Sequence, residues 1–135
     1  VERQKSESDQ VATAMNETDM TAAGNLFADL PDGKGQEVFT RLAQGGAFRL
    51  ERIVSTGQAT PSGEWYDQDD AEWVILLSGA ADLLIEGEGQ ARHLEPGDFL
   101  LLPAHCRHRV EATAAGRETV WLALHFSPGE APESD

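Results

Sequence analysis

The sequence is poor in cysteine, in basic residues and in long apolar runs, and each scarcity argues against a class of protein. Its one cysteine, Cys106, cannot form an intramolecular disulfide or supply a cysteine cluster for zinc. Ten Lys and Arg stand against 24 Asp and Glu, a formal net charge of −14, which argues against a nucleic-acid-binding surface. No apolar run approaches the roughly 20 residues of a membrane span. We therefore expect no nucleic-acid or membrane partner, and a cytoplasmic location.

Polar segments flank one central body. Residues 1–23 are polar, low in aromatics and without sustained periodicity, which predicts a disordered or loosely ordered tail. Residues 128–135, "PGEAPESD", predict a second solvated tail. A chain of 135 residues suits one domain, and residues 24–127 are its predicted extent.

The body reads as a series of short strands. From Ala47 onward, apolar runs alternate with Gly, Pro, Asp and Ser, a pattern typical of strands and turns. The seven predicted strand segments are "AFRLERIVS", "EWVILLSG", "ADLLIEG", "ARHLEPG", "DFLLLPA", "RHRVEAT" and "ETVWLALHF". This rhythm predicts an all-β antiparallel sandwich or barrel. The preceding "GQEVFTRLAQGG" is mildly helical at best, so a short helical or irregular N-terminal segment is expected.

The segment "EWVILLSG" carries an acid in phase with an apolar face. Alternation along the strand separates two faces, Glu72, Val74 and Leu76 on one and Trp73, Ile75 and Leu77 on the other. Both faces are apolar apart from Glu72, so we expect this strand to be covered on both sides. An inward carboxylate without a partner is costly, and a cation beside it would remove that cost.

Two spacings along the chain carry a family resemblance. Glu72 is followed after six residues by Gly79, and Gly97 is followed after five residues by Pro103 and then by His108. Together they resemble the two motifs of the cupin superfamily, and "WYDQ", "EWV", "PGD", "PAH" and "HRV" resemble small single-domain bacterial cupins. The resemblance covers nearly the whole predicted body. It implies a double-stranded β-helix, the jelly-roll or cupin barrel.

The resemblance also implies a metal site inside the barrel, with one change to its ligands. In cupins, two histidines and a glutamate of the first motif and one histidine of the second hold a divalent metal. Glu72 and His108 match the last two of these positions, but the histidine pair is absent from "EWYDQDDAE". Depending on register, the pair positions are occupied by Tyr66 and Gln68 or by Trp65 and Asp67.

Oxygen donors in place of histidines favour harder ions such as Mn over soft ones. The predicted metal ligands are Gln68, Glu72, His108 and Asp67, for a transition metal that we leave open as Mn, Fe, Ni or Zn. His105 occupies a position where the family has glycine, and either a ligand or a rim residue fits it. Tyr66 and His105 are the candidates for acid–base catalysis.

Two functions from different classes fit these residues. One is a metal-dependent enzyme, an oxygenase, isomerase or lyase that acts on a small molecule in the barrel. The other is a non-catalytic sensor or storage cupin that binds a small ligand without metal. The direction of His125 stays open, because parity alone does not decide it. The apolar stripe of Trp73, Ile75 and Leu77 predicts a homodimer through sheet contacts.

Overall fold

The computed structural model describes residues 21–32 and 35–127. The predicted C-terminal tail lies outside this part, and so does the predicted N-terminal tail apart from residues 21–23. The described part contains strands, turns and irregular segments but no helix. It follows that no helix there is long and apolar enough to span a bilayer.

The all-β prediction is confirmed. The strands of the described part, in chain order, are β1 (Val38–Gln44), β2 (Phe48–Ser55), β3 (Ala71–Ser78), β4 (Ala81–Ile85), β5 (Arg92–Leu94), β6 (Phe99–Leu102), β7 (His108–Thr113) and β8 (Thr119–Phe126). Each of the strands β2 to β8 falls within one of the seven predicted segments, except that β3 begins one residue before its segment, at Ala71.

The mildly helical reading of "GQEVFTRLAQGG" is wrong, because most of this segment is strand β1. It pairs antiparallel with β2 from Val38 opposite Val54 to Gln44 opposite Arg49. Its burial alternates with the two-residue period of a strand, since Phe39 is buried between less buried neighbours. Pairing with β2 therefore overrides the weak helical pattern of the segment.

Two antiparallel sheets enclose the core. One sheet has the strand order β1-β2-β8-β3-β6, and the other has the order β5-β4-β7. The buried core between them consists of Val74, Leu76, Ala81, Leu83, Leu94, Leu102, Trp121 and Ala123. This is the jelly-roll arrangement that the resemblance implied.

The inner face of the five-stranded sheet carries polar groups as well as apolar ones. On β3, Glu72 is buried in phase with Val74 and Leu76, as the alternation predicted. Glu72 lies opposite His125 of β8 in the sheet register. His125 is buried in phase with Trp121, so the direction left open by the sequence is inward.

The turn between β3 and β4 brings two backbone segments very close together. Gly79 has a φ of 92°, and a Cβ atom at this position would lie 2.6 Å from the Thr119 Cα. Gly87 has a similar φ of 96°, but nothing lies within 4 Å of its would-be Cβ. A comparison of alanine substitutions at the two glycines therefore separates the cost of a left-handed backbone from the cost of crowding.

We expect Gly79→Ala to destabilise the protein more than Gly87→Ala does. Left-handed backbone costs an alanine roughly 1–2 kcal/mol at either position. Crowding against Thr119 adds about 1–3 kcal/mol at Gly79 alone. Urea unfolding followed by tryptophan fluorescence measures both variants. Equal losses would show that the contact with Thr119 relaxes without cost.

Candidate functional site

A cavity inside the barrel and a wider mouth above it form the candidate site. The cavity has a volume of about 60 Å³, and its polar lining at one end consists of Tyr66, Gln68, Glu72, His108 and His125. The mouth has a volume of about 650 Å³. Because Tyr66, Gln68 and His125 line both spaces, these side chains stand between the mouth and the cavity.

Three predicted ligands meet at the polar end of the cavity. Glu72 lies on β3, His108 begins β7, and Gln68 lies in the loop before β3. The Gln68 amide Nε2 donates a hydrogen bond of 3.2 Å to Glu72 Oε1. The His108 Nε2 lies 3.9 Å from the same oxygen. Both Glu72 and His108 are buried, with 8% and 6% of their surface exposed, so solvent screens their interaction weakly.

The imidazole of His108 is oriented by its own turn. Its Nδ1 lies 2.8 Å from the Cys106 carbonyl oxygen. A carbonyl only accepts hydrogen bonds, so Nδ1 carries the hydrogen, and the lone pair of a neutral ring is on Nε2, on the side of Glu72. Metal-binding histidines in proteins are commonly held in this way.

Of the two possible first-motif registers, the one with Tyr66 and Gln68 corresponds to side chains that line the cavity. The Tyr66 ring stacks on the His108 ring with centroids 5.5 Å apart, and the two backbones form a β-bridge. Trp65 points the other way, where the guanidinium groups of Arg107 and Arg109 lie 5.7 and 5.9 Å from its ring centroid.

Two predicted site residues, His105 and Asp67, lie at the outer rim and do not line the cavity. His105 has a φ of 63°, in the left-handed region where the family has glycine. Its Nδ1 lies 3.0 Å from Asp67 Oδ1, and its Nε2 lies 3.4 Å from Asp69 Oδ1. The hydrogen bond to Asp67 raises the pKa of His105. The backbone N–H of His105 donates to the Gln68 carbonyl, so this residue holds the loop.

A buried charged cluster lies beside the cavity and was not predicted from the sequence. Glu51 is fully buried, and Arg41 Nε and Arg49 Nε lie 3.4 and 3.7 Å from its Oε2. His125 Nε2 lies 3.5 Å from Glu51 Oε1, and Arg49 also binds Asp70 at 3.0 Å. Arg41 could be placed only once its segment was known to be a strand. The alternation of Arg49 and Glu51 along β2 was the available signal.

The histidine and acidic side chains near the cavity are not sufficient by themselves to form a metal site. Among residues 21–32 and 35–127, no three His, Cys, Asp or Glu side chains are grouped so as to hold a metal ion. At the polar end of the cavity, the Glu72 carboxylate lies beside the oriented imidazole of His108, and the third candidate donor beside them is the Gln68 amide.

The chain matches known proteins over most of its described part. A family model described as "Cupin domain" matches residues 52–125. A crystal structure from Ralstonia eutropha, named "putative mannose-6-phosphate isomerase", shares 48% identity, covers 79% of this chain and 99% of that chain, and has a TM-score of 0.77. No curated protein sequence matches.

More distant structures show the fold alone. A cupin superfamily protein from Desulfitobacterium hafniense has 20% identity and a TM-score of 0.59, and covers 79% of this chain and 99% of that chain. An RmlC-like cupin protein from Desulfovibrio desulfuricans has 15% identity and a TM-score of 0.62, and covers 80% of this chain and 97% of that chain.

We expect Arg41→Met to lower the free energy of unfolding by about 3 kcal/mol, the low end for a broken buried ion pair. The value is at the low end because Arg49 still faces Glu51. Arg92→Met is the control, since Arg92 pairs with Glu88 on the surface and should leave stability nearly unchanged. Urea unfolding at neutral pH compares the two, and equal effects would contradict a structural role for the buried cluster.

Proposed function

The chain belongs to the cupin family, and from that premise we propose that its barrel binds a small polar molecule at a divalent metal centre held by Gln68, Glu72 and His108. The observation that carries the proposal is the buried pair of Glu72 and His108, whose Oε1 and Nε2 atoms lie 3.9 Å apart at the polar end of the cavity. The substrate would enter through the mouth. The mouth has a volume of about 650 Å³, which is typical of small-molecule sites.

The residues present fit a metal ion as a mixed oxygen and nitrogen set. His108 turns its Nε2 towards Glu72, and Gln68 supplies an amide oxygen once its side chain rotates about the terminal bond. Two oxygen donors and one nitrogen suit Mn or Fe better than a soft ion, with Ni and Zn as the other candidates. A bound divalent ion supplies Lewis acidity, which polarises a substrate oxygen or activates a water molecule.

The protein's own groups would orient the bound molecule and move protons. Tyr66 stands at the boundary of mouth and cavity, where its phenol can donate a proton to a substrate oxygen. Stacking on His108 limits the rotation of its ring. The apolar remainder of the cavity limits the entry of water and strengthens the polar interactions inside.

The name of the Ralstonia relative makes isomerisation the reaction to test before oxygenation or lyase chemistry. The mouth gives little support for the phosphate in that name. Its two arginines, Arg41 and Arg49, already bind Glu51, and its lining adds Asp67, Asp69 and Asp70. The formal net charge of −14 also disfavours an anion at long range. A neutral polyhydroxylated molecule suits this lining better.

A metal-free binding module is the second candidate, and one contact favours it. The Gln68 amide donates to Glu72, so the carboxylate has a hydrogen-bonding partner without an ion. In this reading the same groups would hold a small ligand directly. Its stabilisation of the fold would then survive a chelator.

Elemental analysis of untagged protein is expected to find about one divalent ion per chain after reconstitution. Glu72→Gln and His108→Ala should each lose the ion and stay folded, since the first removes the charge of the carboxylate and the second removes the imidazole donor. Gln68→His should bind it more tightly, because imidazole is a better ligand for these metals. His93→Ala, which changes an exposed histidine, should retain the metal. An apo wild type after reconstitution would favour the metal-free module.

We further propose that a second copy of the chain packs on the outer face of the five-stranded sheet. On β2, β3, β6 and β8, this outer face includes Phe48, Leu50, Arg52, Trp73, Ile75, Leu77, Phe99, Leu101, Leu122, Leu124 and Phe126. Phe99 and Leu101 lie on the edge strand β6 and are 59% and 57% exposed. None of these side chains is acidic, in a chain of net charge −14, so like-charge repulsion between copies would be weak here.

Light scattering at micromolar concentration should therefore report a dimer. Leu101→Glu should convert it to a monomer, because it places a charge in the apolar contact. Ala112→Glu adds the same charge on β7 of the other sheet and should leave the dimer intact. A wild-type monomer, or dissociation by both variants alike, would contradict the assignment.

A further inference from the structure

A second carboxyl group lines the cavity and has no part in the centre described above. Glu37 immediately precedes β1, and it lines the same cavity as Glu72 and His108. It contacts Ser55, the last residue of β2, which lies opposite Thr119 at the start of β8. Glu72 instead lies opposite His125 near the end of β8. The two carboxyl groups therefore enter the cavity from opposite ends of the barrel.

Hydrogen bonds determine which oxygen of Glu37 is available. The Trp121 indole Nε1 lies 3.1 Å from Ser55 Oγ, and an indole N–H can only donate. Ser55 therefore accepts from Trp121 and donates its single hydrogen to Glu37 Oε2. A proton on this carboxyl group would accordingly be on Oε1.

The surroundings of Glu37 favour the protonated form. Apolar side chains form most of the cavity wall, including Phe39 and Ile53 on the neighbouring strands β1 and β2. Burial raises the pKa of Glu37, and this effect is larger than the lowering by the hydrogen bond from Ser55. The other titratable side chains that line the cavity are Tyr66, Glu72, His108 and His125.

We propose that Glu37 is a second functional group of the cavity, one that carries a proton on Oε1 and donates it in a hydrogen bond to an acceptor oxygen of the bound molecule. The proposal rests on the cavity being a binding site. It specifies the ligand class as a small molecule with a carbonyl or hydroxyl oxygen at the end remote from Glu72. Two carboxyl groups in unlike environments then have unlike roles, one as acceptor or ligand and one as donor.

The Trp121 indole provides a direct reporter of this proton. The chain has three tryptophans, so a ¹H–¹⁵N spectrum shows three indole signals, and Trp121 alone is linked to Glu37 through Ser55. The Trp121 signal should shift with a midpoint above the ordinary carboxyl pKa when the pH is raised from about 4 to 8. Glu37→Gln should remove that shift. Glu118→Gln, at an exposed position beside Thr119, should preserve it.

Stability should report the same proton with a definite sign. The raised pKa in the folded state means that the unfolded chain loses this proton first, so stability falls as the pH rises from the unfolded-state to the folded-state pKa of Glu37. The Glu37→Gln variant has no carboxyl proton at this position, so its stability does not fall in this way. Its melting temperature relative to the wild type should therefore increase across that window. A Trp121 signal that titrates below the ordinary carboxyl range, or titrates unchanged in Glu37→Gln, would overturn the proposal.

Donation to a ligand is tested with acetamide, whose carbonyl oxygen is an acceptor. Its affinity for the wild type should fall about tenfold above the Trp121 midpoint, the loss of roughly one hydrogen bond. Affinity for Glu37→Gln should be independent of pH, because an amide keeps its hydrogens. A pH-independent affinity in the wild type, or no binding at any pH, would overturn the assignment. Metal content is measured separately from the Trp121 signal, the melting temperature and the acetamide affinity. A failure of the proposed metal centre can therefore be distinguished from a failure of the Glu37 proposal.

Discussion

The buried polar groups of the five-stranded sheet depend on the pairing of β8 with β2 on one side and β3 on the other. This double ladder places His125 opposite Arg49 on β2 and opposite Glu72 on β3. Side chains alternate along a strand, so a slip of one residue would turn His125 out of the barrel and Leu124 into it. The apolar inner positions of β8, Trp121 and Ala123, hold the register because they are buried in the core. Core packing thus aims the polar groups of the site.

The buried carboxylates of Glu51 and Glu72 are stable because neighbouring strands or loops supply them with partners. Glu51 has Arg41 from β1 and His125 from β8, and Glu72 has Gln68 from the preceding loop. A carboxylate buried without such partners would cost several kcal/mol. Arg41 and Arg49 both pair with the buried Glu51. The mouth therefore has acidic rather than basic character, because Asp67, Asp69 and Asp70 also line it.

Strand phase and motif spacing are enough to predict the fold and half of the site. The positions of Glu72 and His108 follow from local alternation together with the family spacing, both of which are short-range properties. The inward direction of His125 depends on cross-strand pairing, because both faces of β8 are largely apolar and neither parity is preferred. Glu37 and Arg41 belong to a segment whose strand character arises only from pairing with β2. Long-range pairing of this kind is not encoded in a local pattern.

The site joins groups held by strands to groups held by a loop, and the two are stabilised differently. Glu72 and His108 lie on strands within the ladders. Tyr66 and Gln68 lie in a loop whose position is set by polar contacts to its backbone. His105 N–H donates to the Gln68 carbonyl, and the Arg109 guanidinium donates to the carbonyls of Thr60, Pro61 and Glu64.

Apart from the bridge between Tyr66 and His108, this loop lies outside the strand ladders, so it is expected to open at lower free energy than the strands. Of the residues that separate mouth from cavity, Tyr66 and Gln68 lie in this loop and His125 lies on β8, so only the loop side of that boundary can move without unfolding the barrel. Access to the cavity can then be governed by the loop, while the spacing of Glu72 and His108 stays constant. This division also accounts for His105. A histidine at this left-handed position gives Asp67 of the loop a side-chain partner, which a glycine could not do.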